Sequence, residues 1–309
     1  MPNKKTSGSS TKKTTTNKKS KRPQKSLKSA VIDKIPNVYN ISKKSLGLIY
    51  ENRRPFAILL VIYYLLTVLF VRGLATSLNL IQFKSNYLVT TRGGTNVGSD
   101  FSGLGHVISS SFSGVSGYGG LIQSMLFVVF SLIFIWTLRE ILKGNKVTAR
   151  DGLYNSQTPL IQFVLILALL FLEFIPILVG IFLYTIIFGD GIAANSIEKA
   201  GWYIIIFLLV VATFYLLIST LFALYIVTIP GVRPIQALRS SWNLVKNRRL
   251  IIFRKVLFLF VALLIIVGSL SILSIAVVPK VADFIYYGLM IIAVLIAHSY
   301  LYHLYRDLL

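Results

Sequence analysis

Six stretches of this sequence are almost free of charged side chains and long enough to cross a bilayer: 55–71, 121–138, 159–188, 202–229, 256–278 and 284–302. A hydrocarbon core about 30 Å thick takes about 20 helical residues. The runs are continuously apolar rather than alternating, so helices are the expected form, with every backbone hydrogen bond kept inside its own segment. The predicted fold class is an all-α integral membrane protein with six transmembrane helices.

Composition agrees, but only if charge is segregated. The chain of 309 residues is 55% hydrophobic and 14% charged, with 32 Lys+Arg against 10 Asp+Glu and a net charge of +22. Soluble domains carry about 45–50% apolar and about 25% charged residues. Fifteen of the cations fall within residues 1–54, opposed only by Asp33 and Glu51. Residues 1–36 are therefore expected to form a disordered, basic, cytoplasmic tail, and 37–309 the six-span membrane domain. The first apolar run begins only at Pro55, which disfavours a cleaved signal. The tail reads as a solvated arm or as a ligand for anionic headgroups. Nucleic acid is disfavoured, because no aromatic side chains interleave with its lysines to offer stacking platforms.

The connecting segments orient the spans. Arg139, Lys143, Lys146 and Arg150 lie in 139–158, and seven cations without an acid lie in 230–255. The alternate connections hold Lys199 alone, Lys280 alone, and three cations across the long 72–120 segment. The positive-inside rule then places both termini in the cytoplasm of a multi-pass cell-membrane protein. The Gly/Ser-rich stretch 92–120, which contains His106, reads as a flexible surface loop, or else as a re-entrant or partner-binding loop. Its glycines fit no phosphate-cradle spacing.

A short amphipathic stretch precedes each pair of spans, in 45–60, 152–167 and 241–257. The third is the clearest. Pro234 is placed to start a helix; Ile235, Leu238, Trp242 and Val245 share one face, and Gln236, Arg239, Asn243 and Lys246 the other. Three units of interfacial helix plus two-span hairpin are expected, with Arg239, Trp242, Lys246, Arg248 and Arg249 toward anionic lipid. A plain connecting helix outside the membrane is the alternative.

The stretches KGNKVTARDGLYNSQTPLIQFVLIL (from Lys143) and PIQALRSSWNLVKNRRLIIFRKVL (from Pro234) carry a resemblance. The features are ALRSSW from Ala237, LVKNRR from Leu244 and a following apolar span, with a weaker counterpart from Lys143 to Tyr154. Residues 139–309 resemble a diffuse group of bacterial polytopic proteins. That group includes the membrane domain of glycerophosphodiester phosphodiesterases and YciC-like inner-membrane proteins. The resemblance implies a helical bundle. The sequence contains no counterpart of the soluble phosphodiesterase domain, so no catalytic residue carries over.

Glu173 stands inside the third apolar run, three residues before Pro176. A carboxylate at that depth is costly unless paired, protonated or turned into the bundle. Pro176 removes a backbone donor and kinks the helix. A kink beside an acid suits an ion or proton site, with His298 as a possible relay partner. The plainer reading is a carboxyl group hydrogen-bonded to a neighbouring helix through Tyr215, Ser219, Thr220 or Ser269.

Cysteine is absent and only three histidines occur, so no metal or cofactor is expected, and no nucleophile elbow, Walker loop or HExxH is found. The sequence therefore points to a non-enzymatic scaffold or accessory protein whose partner is the bilayer, anionic lipids above all. The alternatives are a small-solute or proton-coupled transporter using Glu173, and the membrane part of a lipid-processing system.

Overall fold

The structure, a computed structural model, describes residues 36–72, 118–189, 195–278 and 281–309. Residues 1–35 of the predicted tail, and 92–117 of the Gly/Ser-rich loop with His106, lie outside the described residues.

Among the described residues every regular element is helical. In chain order they are α1 (Val38–Glu51), α2 (Arg53–Leu66), α3 (Tyr118–Leu142), α4 (Ala149–Asn155), α5 (Leu160–Leu172), α6 (Ile175–Tyr184), α7 (Ser196–Thr220), α8 (Ala223–Ile226), α9 (Pro234–Val245), α10 (Arg249–Val277) and α11 (Ala282–Leu308). Six stretches are long and apolar enough to cross a membrane: Arg53–Val71, Gly119–Leu142, Leu160–Ile187, Ile197–Ile226, Arg249–Ser274 and Phe284–Leu308. Their outer surfaces remain apolar. Ile161, Phe171, Phe182, Phe207, Ile265 and Ile272 are all more than half exposed. Aqueous surfaces do not carry such a continuous apolar belt, so the protein is a multi-pass membrane protein.

Three short helices, α1, α4 and α9, each precede a pair of spans. Contacts gather all three at one end of the bundle. Ser299 of α11 donates to the Ser45 carbonyl of α1 (3.2 Å). Arg139, in the last turn of α3, donates to the Thr228 carbonyl between α8 and α9. Gly152 of α4 sits against Thr137 and Ile133 of α3 and Leu59 of α2. Ser241 of α9 donates to the Ser219 carbonyl near the end of α7 (2.7 Å). Among the described residues only Arg72 and Lys199 place cations at the opposite end.

Local chemistry explains where the short helices start and stop. Thr148 caps α4: its Oγ1 accepts from the Asp151 amide (3.3 Å), while Asp151 Oδ2 accepts from the Thr148 amide (3.0 Å) and hydroxyl (2.7 Å). This reciprocal arrangement satisfies donors that a helix start leaves open. Pro234 occupies the start of α9, where its missing N–H costs nothing. Between α9 and α10 the chain turns through Asn247 at φ 69°, a left-handed conformation that asparagine tolerates better than most residues.

The spans run further than the apolar windows of the sequence suggest. The second span continues through Arg139 and the fifth begins at Arg249. Helical hydrogen bonding does not stop at the first charge, because long cationic side chains can bury their stems and present their heads at the span end.

Candidate functional site

The basic end of the bundle is built around α9. Ala237, Ser241 and Val245 are buried and form the docking face. Small side chains at 237 and 241 let α9 approach α7, and the Ser241 hydroxyl ties the two together. Val245 belongs to this inward face rather than to the outward apolar one. The outward side carries Ile235, 79% exposed, and Trp242, 37% exposed, next to exposed Arg239 and Lys246. Apolar and cationic side chains therefore lie side by side on the free surface of one short helix.

Arg248 and Arg249 differ sharply in surroundings although adjacent in sequence. The Arg249 guanidinium lies 4.0 Å from the Tyr215 ring centroid and 4.3 Å from that of Trp242. The two rings meet edge to face at 5.8 Å. Arg249 is thus held in an aromatic clamp joining α7, α9 and α10, where the ring faces attract the cation. Its buried Nε has no hydrogen-bond partner. Of the five residues predicted to face lipid, Arg249 instead serves packing, and Trp242 contributes one side chain to both surfaces.

The third span is broken where Glu173 and Pro176 predict a kink. α5 ends at Leu172, Glu173 caps it, and α6 restarts at Ile175 with Pro176 in its first turn. Glu173 Oε2 accepts a 2.6 Å hydrogen bond from Thr220 Oγ1 on α7. Among the four partners weighed from sequence, Thr220 is the one that reaches; Ser219 and Ser269 donate to carbonyls of their own helices. Gly180 lets α6 lie close to Leu209 and Ile206 of α7, which carries the span past the break.

His298 is not brought to Glu173. Its Nδ1 is 3.2 Å from Tyr225 Oη, within an aromatic cluster of Tyr225, Tyr302, Tyr305 and Phe222. His303 donates from Nδ1 to the Ser299 carbonyl one turn earlier (2.9 Å). Among the described residues no three His, Asp or Glu side chains are grouped to hold a metal ion.

Arg139 is the residue whose place the sequence concealed. It reads as a loop cation, yet it is 7% exposed. Besides Thr228 it contacts Glu140 (3.3 Å), which also accepts from Lys143 (2.7 Å) and Asn145 (2.8 Å). The adjacent Arg-Glu pair at the end of an apolar run is the sequence signal that could have marked it, since an isolated cation at that depth would be costly. At the exposed start of α4, hydrogen bonds from Thr148 hold the Asp151 carboxyl below its ordinary range, with Arg150 adding a weaker pull.

No protein-family model, curated protein or solved structure matches this chain.

Proposed function

We propose that this chain is a non-enzymatic membrane scaffold or accessory protein that holds anionic lipid headgroups against the basic end of its bundle. The observation that carries the reading is the outer face of α9, where Ile235 and Trp242 lie beside Arg239 and Lys246. A helix of that pattern lies in the headgroup region, with its apolar side chains in the acyl boundary and its cations on phosphates. Each cation near an anionic surface contributes about 1 kcal/mol. The cation asymmetry between the two ends supports a cytoplasmic location for α1, α4 and α9. The resemblance to the membrane domains of phosphodiesterase-linked proteins is compatible with such a role, acting beside a lipid-processing enzyme.

The test replaces Arg239, Lys246 and Arg248 by Gln together, leaving the clamped Arg249 in place. Native mass spectrometry counts the phosphatidylglycerol molecules retained per full-length chain. Fewer retained lipids are expected; an unchanged number would remove the proposal.

A second reading, a proton-coupled carrier, draws on Glu173 at the broken third span. It requires water to reach the carboxyl group and uptake to be lost in Glu173→Gln. The direct Thr220 hydrogen bond favours the structural role instead.

A further inference from the structure

The fifth and sixth spans pack on each other but leave a gap on the side that α1 covers at one end. A cleft of about 220 Å³ runs between α10 and α11, from Phe258 to Leu270 on one wall and from Tyr300 back to Leu289 on the other. Twelve residues of helix rise about 18 Å. One leaflet of a hydrocarbon core about 30 Å thick is about 15 Å deep, so the cleft matches the reach of one acyl chain. Along that length its walls are alkyl side chains, and Phe258, Ile266 and Ile292 leave it open at the lipid-facing surface.

The two ends of the cleft differ. At the α1 end it is bounded by Ser42, Ser45 and Tyr300, whose hydroxyl donates to the Lys255 carbonyl (3.3 Å). A helical serine commonly returns its hydroxyl to the carbonyl four residues back. Ser42 does so, donating to Val38 (3.1 Å). Ser45 does not: it is 1% exposed, and its Oγ has no hydrogen-bond partner although it lines the cleft. A buried hydroxyl without a partner is costly, so this one points to a ligand group. On the same helix faces, one turn before Leu46 and one turn before Phe258, stand the exposed cations Lys43 and Arg254.

We infer that this cleft is a binding site for one anionic phospholipid, with an acyl chain lying between α10 and α11, its ester carbonyl accepting from Ser45 Oγ, and its phosphate beside Lys43 and Arg254. Only the phosphate half of this site rests on the reading proposed above; the acyl slot and the serine stand on the cleft itself.

The test uses full-length protein in vesicles of phosphatidylcholine containing phosphatidylglycerol with a photoreactive diazirine midway along one acyl chain. After irradiation, label is expected on peptides covering 258–270 and 289–296. Ala262→Phe fills the middle of the slot and should abolish that labelling. Ser45→Ala keeps the shape and should lower it about five-fold, the factor one neutral hydrogen bond contributes. Should Ala262→Phe fail to fold, Ser45→Ala decides. The Arg239, Lys246 and Arg248 triple variant should leave the slot labelled. Label spread evenly over the spans, or unchanged in both slot variants, overturns the site while leaving the α9 reading intact. Equal labelling by a phosphatidylcholine probe overturns its anionic selectivity.

Discussion

Gly152→Ala is the sharpest test of how α4 is seated. A Cβ built on Gly152 would lie 2.8 Å from Thr137 Oγ1, 3.6 Å from Ile133 Cγ2 and 3.7 Å from Leu59 Cδ1. The last two are ordinary contacts, so the effect turns on the first. Thr137 is fully buried in α3, so close packing leaves its side chain little room into which to retreat. Alanine in place of helical glycine gains about 0.5–1 kcal/mol, whereas overpacking a tight contact costs about 1–3 kcal/mol. Steric strain wins, and a net loss of about 1–2 kcal/mol is expected. Thr137 Oγ1 makes no hydrogen bond, so Thr137→Ala strands no partner and removes the clash. In that background Gly152→Ala should become stabilising, with a coupling of at least about 1 kcal/mol. Reversible unfolding in mixed micelles titrated with SDS, followed by circular dichroism, measures all four corners of the cycle. Stabilisation by Gly152→Ala alone, or additivity, would refute the close seating of α4 on α3.

Arg139→Met should destabilise by about 1–3 kcal/mol in the same titration, because it leaves the buried Thr228 carbonyl without its donor while Glu140 keeps Lys143 and Asn145. Arg249→Lys should lose about 0.5–2 kcal/mol and change the emission of Trp242, since a lysine ammonium is a compact point charge that cannot spread its contact over both rings as the guanidinium does; an unchanged spectrum and stability would mean the clamp contributes nothing. The Asp151 carboxyl is held below its ordinary value, so its contribution to α4 is present above the usual carboxylate range and is lost as pH falls through the lowered value. Protection factors of the α4 amides, corrected for the pH dependence of intrinsic exchange, should fall on acidification, and Thr148→Ala, which removes the cap at a cost of about 1 kcal/mol, should flatten that dependence. Glu173→Gln should fold normally, because the amide oxygen can still accept from Thr220; severe unfolding would show that the carboxylate charge itself is required there.

Much of this architecture is legible in the residue order. Continuous apolar runs have one stable form in lipid, so the six spans, and the break announced by Glu173 and Pro176, follow from local chemistry. Pro234 and the Thr148–Asp151 pair mark helix starts for the same reason, since each capping group acts within three residues of itself. Periodicity recovered most of α9 but misassigned Val245, because an apolar stripe does not say whether lipid or protein will cover it.

What the order of residues could not decide is which polar groups meet. Arg139 and Arg249 look like neighbours of Lys143 and Arg248, yet one is buried under Thr228 and the other lies between Tyr215 and Trp242. Glu173 selects Thr220, and His298 turns to Tyr225. Apart from Arg249 and Trp242, seven positions apart, those pairings join residues 34 to 89 positions apart in the chain, and inside a bundle they are chosen by how helices rotate against one another. The number of helices and the sorting of charge to one end are properties of single segments facing lipid or water. The cleft between α10 and α11, with the buried, unpartnered Ser45 hydroxyl at its α1 end, exists only because of how three separate helices pack there.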